Sequence, residues 1–194
     1  MIKQVQRVPS PERGGRKRLL TPLCALALLC AVSAAYVSQV SSAEVVARKR
    51  ELPVYCVERD DKKIAISFDA AWGGDKTRKI LDILDEFEVH TTFFLVDTWV
   101  ERYPELVQEI AARGHEIGNH SATHPKMSTL SRDKIRQELD TMADNAQALT
   151  GVRPTLFRPP YGDYNNDVVL IAREAGYEPI QWSVDSLDWK NKGV

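Results

Sequence analysis

Cysteine is scarce in this chain, with three among 194 residues. Cys24 and Cys30 lie within an apolar N-terminal run, which leaves Cys56 alone in the remainder. A disulfide framework needs pairs of cysteines, and a redox or metal site of the CxxC type needs two that are closely spaced. The sequence therefore indicates neither a disulfide-stabilised scaffold nor CxxC chemistry.

Two features of nucleotide-binding and nucleic-acid-binding proteins are also missing. Neither GxGxxG nor GxxxxGK[ST] follows the first predicted strand, so a nucleotide-binding fold has no support. Positive charge is short beyond residue 50, because residues 51–194 contain 17 basic and 25 acidic side chains, a net charge of −8. No nucleic-acid partner is therefore expected, whereas neutral or cationic polymers are compatible with this charge.

Charge is absent altogether from residues 19–37, which follow a basic segment at residues 1–18. These 19 residues are long enough to span a bilayer as a helix, and the lysines and arginines before them predict a cytoplasmic N-terminus and an exported body. Ser41, Ser42 and Ala43 have the small side chains of a signal-peptidase site. A cleaved signal peptide and a membrane anchor both stay open, and residues 38–61 are predicted to form a polar tether.

From Lys62 to the end, the hydrophobic pattern alternates between the period of strands and that of helices. The predicted strands are KKIAISFDA, HTTFFLV, HEIGNH, PTLFRPP and YEPIQWSVD. The predicted helices are DKTRKILDILDEFEV, YPELVQEIAARG, SRDKIRQELDTMADNAQALTG and NDVVLIAREAG, the third with Ser131 as N-cap and Gly151 after its end. This alternation predicts an α/β fold with a mostly parallel sheet, either open and doubly wound or an incomplete (β/α) barrel.

Ionisable side chains fall at the ends of the predicted strands. Asp69 ends the first strand, His120 the third and Arg158 the fourth, while Asp185 and Asp188 follow the fifth. Loops at the carboxyl ends of parallel strands build the active sites of α/β proteins. We therefore expect these groups to meet at one rim of the sheet.

The motif HSATH places His120 and His124 four residues apart, a spacing that lets two imidazoles face one metal ion. Two surface histidines in a polar loop are the alternative. The strand-end position favours a metal site, with zinc the natural ion and another divalent metal possible for imidazole ligands.

Two further motifs each allow a structural and a functional interpretation. In RPPYG, from Arg158 to Gly162, two prolines lack N–H groups, so the Tyr161 amide is free to face a ligand; a simple turn is the alternative. In DSLDW, the carboxylates of Asp185 and Asp188 either cap a helix or orient a catalytic group, with Trp189 as an apolar wall. The other tryptophans, Trp72, Trp99 and Trp182, are expected in the core.

The stretches SFDAAWG, HSATH, RPPYG and DSLDW, in this order, resemble the NodB-homology polysaccharide deacetylases, carbohydrate esterase family four. Within that family the chain looks most like the sporulation-associated PdaB-like branch. The resemblance covers residues 62–194 and implies a distorted (β/α) barrel, incomplete at the C-terminus. It also implies removal of N-acetyl groups from a peptidoglycan or chitin-like glycan.

The resemblance also implies a role for each matching residue. It makes Asp69 the general base, His120 and His124 the metal ligands, Arg158 the holder of the base, Tyr161 an oxyanion donor through its amide, Asp188 the partner of an acid histidine, and Trp189 the lining of the acetyl pocket.

Two departures from the family pattern bear on activity. Family members usually carry a second aspartate as third metal ligand, and here that position is Ala70. The motif with the acid histidine is absent, so we expect the sequence to be a fragment of a longer protein. The leading hypothesis is an exported, metal-dependent polysaccharide N-deacetylase, membrane-anchored or secreted. A catalytically silent carbohydrate-binding relative is the alternative, and a metal-dependent hydrolase of another acyl substrate stays open.

Overall fold

The computed structural model describes residues 26–33 and 49–190. The chain divides into two units, Met1–Lys49 and Arg50–Val194. In the first unit residues 26–33 are helical and exposed. Within the described residues, no helix has both the length and the apolar character needed to cross a membrane. The predicted basic segment 1–18, most of the uncharged run 19–37 and residues 38–48 of the predicted tether lie outside the described residues.

The second unit contains a parallel sheet whose strand order follows the chain, β1-β2-β3-β4-β5. The strands are β1 (Ser67–Ala70), β2 (Thr92–Leu95), β3 (Glu116–Asn119), β4 (Leu156–Phe157) and β5 (Glu178–Pro179). A doubly wound sheet reverses its order at a switch point, whereas a barrel adds each strand beside the last. The parallel α/β prediction is confirmed, and the order favours the barrel over the open sheet.

Five helices connect or follow the strands: α1 (Thr77–Glu86), α2 (Asp97–Arg102), α3 (Pro104–Ala112), α4 (Arg132–Thr150) and α5 (Asn166–Glu174). Both predicted ends of α4 are confirmed, since the Ser131 side chain accepts from the Lys134 amide and Gly151 adopts a left-handed φ of 78°. Helix α2 was not predicted, because six residues are too few to show a helical period.

The ends of the predicted strands and tether differ from the structure. The fifth strand is two residues long, Glu178–Pro179, rather than nine, and beyond it the chain continues in the sheet only as a single bridge at Ile180. Val54, within the predicted tether, forms a parallel bridge with Ile180. Its amide donates to the Pro179 carbonyl at 2.8 Å, so the folded unit begins before Lys62. One bridging residue produces no hydrophobic periodicity, so the sequence does not predict this pairing.

Two clusters of buried side chains hold the helices on the sheet. One joins β1 and β2 to α1, α2, α3 and the C-terminal half of α4, and the other joins β4 to α4 and α5. Trp99, 1% exposed, belongs to the first cluster as predicted. The prediction for Trp72 is wrong, because its side chain is 79% exposed on the loop after β1. Trp182 is partly buried.

Candidate active site

A carboxylate and a guanidinium meet where β1 and β4 end. Arg158, directly after β4, is 5% exposed, and its Nη1 donates to Asp69 Oδ1 at 2.7 Å. Its Nη2 donates to the Ser67 hydroxyl at 2.8 Å, and the guanidinium lies 4.0 Å from the centre of the Phe94 ring. These contacts fix the guanidinium, which in turn orients the Asp69 carboxylate at the rim of the sheet.

His120, after β3, lies beside this ion pair. Its Nδ1 is 2.7 Å from the Arg158 carbonyl oxygen, and because a carbonyl only accepts, Nδ1 carries the proton. The other ring nitrogen, Nε2, faces Asp69 Oδ2 at 3.8 Å. Burial lowers the pKa of His120, against the opposing effect of the Asp69 charge. Burial thus favours the neutral imidazole, with the Nε2 lone pair facing the site.

His124 completes the imidazole pair, with its ring centre 5.0 Å from that of His120. Burial, and then the nearby His120, lower the pKa of His124 to about 4. Its Nδ1 is buried and has no hydrogen-bond partner among the described residues. A neutral ring with an unpaired buried nitrogen is the form in which histidine binds a metal ion.

A buried glutamate that sequence reasoning missed holds the loop carrying the two histidines. Glu138 on α4 is 2% exposed, and its Oε2 accepts from the amides of Ala122 at 3.0 Å and Thr123 at 2.8 Å. The Thr123 hydroxyl donates to Oε1 at 3.0 Å. The sequence carries one indication of this role, because Glu138 is a charged residue on the apolar face of α4 that also carries Ile135 and Leu139.

Two polar side chains inside the loop complete its hydrogen bonds. Asn119 Oδ1 accepts from the Ser121 amide at 2.8 Å, and Ser121 Oγ accepts from the His124 amide at 3.0 Å. Ser121 and His124 both have positive φ, of 71° and 58°. The side-chain hydrogen bonds offset the strain of this left-handed backbone and keep His124 next to His120.

The RPPYG motif forms a tight turn beside His124. Tyr161 has a left-handed φ of 60°, and its ring centre lies 4.5 Å from that of His124. The turn is closed by the amides of Gly162 and Asp163, which donate to the carbonyls of Pro159 and Pro160 at 3.0 Å. The Tyr161 amide is not needed for this closure, which fits the predicted donor role.

The structure gives the DSLDW motif only local contacts. Asp185 Oδ1 accepts from the Leu187 amide at 2.8 Å, as in the capping interpretation. Asp188 Oδ1 accepts from the Ser186 hydroxyl at 2.6 Å, and the Trp189 ring lies 4.7 Å from Lys190 Nζ. Asp188 and Trp189 are both exposed. In the described part of the chain no recorded contact joins them to Asp69 or to the histidines, so their roles stay predictions.

The donor set suits a divalent metal through two imidazoles but offers no complete cage. Within residues 26–33 and 49–190, no three His, Cys, Asp or Glu side chains converge as a metal site. Ala70 stands where a further carboxylate would be, and its methyl group packs against the cluster that contains Leu95. His120 and His124 are the two imidazoles that the described residues bring together beside Asp69, and their role as metal ligands stays a prediction.

A family model and curated relatives match the part of the chain that carries this site. The polysaccharide deacetylase model matches residues 57–180. An uncharacterised 30.6 kDa protein of Geobacillus stearothermophilus is 39% identical over 137 residues, which are 70% of this chain and 52% of that protein. The peptidoglycan-N-acetylmuramic acid deacetylase PdaA of Bacillus subtilis is 35% identical, with the same shares covered. The chain thus spans about half the length of these relatives.

Solved structures of similar proteins have the same fold, and they include a pseudoenzyme as well as a carbohydrate esterase. A CE4 family pseudoenzyme from Bacillus anthracis superposes with a TM-score of 0.70 and 36% identity, over 72% of this chain and 50% of that one. PdaA of Bacillus subtilis, a family 4 carbohydrate esterase, superposes with a TM-score of 0.68 and 33% identity, over 71% and 59%. The fold implied by the motifs is confirmed.

Proposed function

Because this chain belongs to the polysaccharide deacetylase family, we propose that it is a metal-dependent N-deacetylase acting on peptidoglycan or a chitin-like glycan. The contact between Asp69 and Arg158, beside His120 and His124, carries the proposal. An oriented carboxylate that can act as general base, beside two imidazoles that can hold a divalent metal, suits metal-assisted hydrolysis of an acetamide by water. The names of relatives, which include peptidoglycan and chitooligosaccharide deacetylases, support this substrate class.

Each residue of the site has its own role in the proposed reaction. Asp69, oriented by Arg158, takes the proton of the attacking water. The Tyr161 amide donates to the oxyanion that forms on the carbonyl oxygen when the water attacks the acetyl carbon. Asp69, protonated in the first step, can return that proton to the departing amine. A divalent metal bound by His120 and His124, zinc by preference, would polarise the acetyl carbonyl and acidify the water.

The second candidate is a catalytically silent, glycan-binding relative. Ala70 favours it, because catalytic zinc sites ordinarily have three protein ligands. The name of a structural neighbour, a CE4 family pseudoenzyme, is consistent with such a loss in a related chain. The intact Asp69–Arg158 pair favours the enzyme, since a glycan-binding module has no need of an oriented base.

Measurement of acetate release tests the proposal. N-acetylglucosamine oligomers and peptidoglycan are incubated with the chain, with and without added zinc, and bound metal is measured in parallel. Asp69→Asn is expected to lower the rate by about 10²-fold or more with metal content retained, as loss of a general base does. Asp133→Asn, at a fully exposed carboxylate, is the matched control and is expected to have no effect.

Two results would overturn parts of the proposal. If no glycan releases acetate and no metal binds, the enzyme is contradicted, and retained glycan binding then supports the silent relative. If Asp69→Asn loses its metal as well as its activity, Asp69 is a ligand rather than the base.

Export and a sporulation-associated role belong to the same proposal. The basic segment 1–18 and the uncharged residues 19–37 support export through a signal peptide or a membrane anchor. A reporter fused after residue 61 distinguishes the two, because a cleaved signal releases the reporter and an anchor retains it in the membrane fraction. A reporter kept in the cytoplasm would contradict both.

A further inference from the structure

A cavity of about 410 Å³ opens beside His124, between the loop after β1 and helix α2. Most of its wall is apolar or aromatic, and one side of the wall is His124 itself. A pocket next to the reacting group is where the sugar that carries that group, or its neighbour, is held. Trp72, Arg102, Tyr103 and His124 are among the residues that line it.

Trp72 presents an exposed indole on a braced loop at the mouth of this cavity. Its ring centre lies 6.0 Å from that of His124. The loop is fixed because the carbonyl of Gly73 accepts from Trp99 Nε1 at 2.9 Å. It also packs closely, since a Cβ at Gly74 would lie 2.9 Å from Leu106 Cδ1. An indole held out of the core in this way offers a flat apolar face on which a sugar ring stacks.

Arg102 gives the cavity a positive charge. Among the described residues that line the cavity, Arg102 is the one with a permanent charge. Its guanidinium lies 5.5 Å from the Tyr103 ring, and no ion pair to an acid is recorded for it in the described residues. Its neighbour Glu101 lines a different cavity. Residues 51–194 carry a net charge of −8. An arginine that lies beside the reacting site and has no acidic partner there points to an anion on the ligand.

We propose that this cavity is a subsite for a carboxylate-bearing N-acetylated sugar, stacked on Trp72 and bound by Arg102 through its carboxylate. The inference rests on the proposed function and narrows its substrate class. A single planar guanidinium matches a carboxylate, whereas phosphate sites usually combine several cations or helix amides. The carboxylate belongs either to an acid ether on the sugar or to a peptide attached to it.

Binding measurements on three matched glycans test the subsite without requiring turnover. The probes are a neutral N-acetylglucosamine oligomer, a peptide-free glycan with a free lactyl ether carboxylate, and the same glycan with that carboxylate converted to a methylamide. A fourth probe, a glycan bearing a short acidic peptide, distinguishes the two sources of the charge. Affinities are measured by calorimetry and acetate release is measured on the same samples.

Arg102→Gln is expected to weaken binding of the carboxylate glycan about tenfold, the usual loss for a charge-assisted hydrogen bond, and to leave the neutral oligomer unchanged. Arg102→Lys is expected to recover part of that affinity. Lys79→Gln removes the same charge at an exposed position on α1. It is expected to change neither the affinity for the carboxylate glycan nor that for the neutral oligomer. Trp72→Ala is expected to weaken all the glycans together.

The outcomes separate this inference from the proposed function. Equal affinity for the acid and its methylamide, with acetate released from both, overturns the subsite and leaves the deacetylase intact. Arg102-dependent binding with no acetate from any glycan supports the subsite and contradicts the deacetylase. Preference for the acidic peptide over the lactyl ether assigns the carboxylate to the peptide.

Discussion

Arg158 Nη1 and Asp69 Oδ1 lie 2.7 Å apart although 89 positions separate the two residues in the sequence. The same arginine accepts the Nδ1 proton of His120 on its backbone carbonyl. It therefore orients both the carboxylate of the base and the tautomer of an imidazole, through its side chain and its main chain respectively.

Replacing this arginine by lysine is expected to lower acetate release by about 10²-fold, because an ammonium does not bind Asp69 and Ser67 together in one plane. The fold is expected to persist, since the positive charge and the His120 contact to the backbone remain. The measurement is kcat for acetate release, with thermal unfolding as the check on folding. Arg153→Lys, whose guanidinium pairs with Asp140 and Asp144 on the surface, is the control. Unchanged kcat in Arg158→Lys would contradict the orienting role.

Glu138 is expected to act as a positioning residue for the histidine loop. Glu138→Leu leaves the buried amide of Ala122 without its acceptor and also removes the acceptor of the Thr123 amide, which is expected to cost on the order of 1–3 kcal/mol of unfolding free energy. Glu138→Gln keeps one carbonyl oxygen for those amides and is expected to recover most of that loss. Urea unfolding gives the free energies of unfolding. Calorimetry of zinc binding shows whether the loop still holds His120 and His124 in place.

Zinc binding separates a positioning role for Glu138 from a merely structural one. We expect Glu138→Leu to weaken zinc binding about tenfold, as loss of an outer support does. Gln137→Leu, at the exposed neighbouring position, is expected to retain full affinity. If zinc affinity survives in Glu138→Leu while stability falls, the glutamate supports the fold but not the histidines.

Ala70→Asp is expected to make stability depend on zinc. The methyl group of Ala70 packs against an apolar cluster, so a carboxylate there destabilises the protein without metal, by about 1–3 kcal/mol. A third ligand next to His120 and His124 then lets zinc recover that loss. The recovery is measured as the change in unfolding temperature with zinc concentration. Ala71→Asp is the matched control. The same response in both variants, or none in either, would argue against residue 70 as a ligand position.

His115 is expected to make the protein less stable as pH falls below 6.5. Burial, and then the neighbouring His90, lower the pKa of His115 beneath its ordinary value of 6.5. The unfolded chain therefore binds more protons than the folded one just below pH 6.5, so the free energy of unfolding rises with pH in that window. Urea unfolding of the wild type and His115→Leu between pH 5 and 7.5 tests this. An equally steep pH dependence in both proteins is the contradicting result.

The sequence alone was enough to predict the alternation of strands and helices and the residues that meet at the rim. Hydrophobic periods of two and 3.6 residues are local properties, and parallel strands deliver their carboxyl ends to one edge whatever lies between them. The sequence alone therefore predicts that Asp69, His120 and Arg158 lie together. The caps of α4 were predictable for the same reason, because Ser131 and Gly151 act on neighbouring backbone groups.

Only the tertiary structure decided which partner each side chain has. The buried position of Glu138 beneath the histidine loop, the tautomer of His120 and the exposure of Trp72 all depend on contacts between segments that are distant along the chain. The charge of an acid on a helix gives no sign that two amides from another loop will approach it. Likewise, the lack of an acidic partner for Arg102 in the described residues appears only when its neighbours are in place. Local pattern determines which elements form, whereas burial and pairing are set by the packing of one element on another.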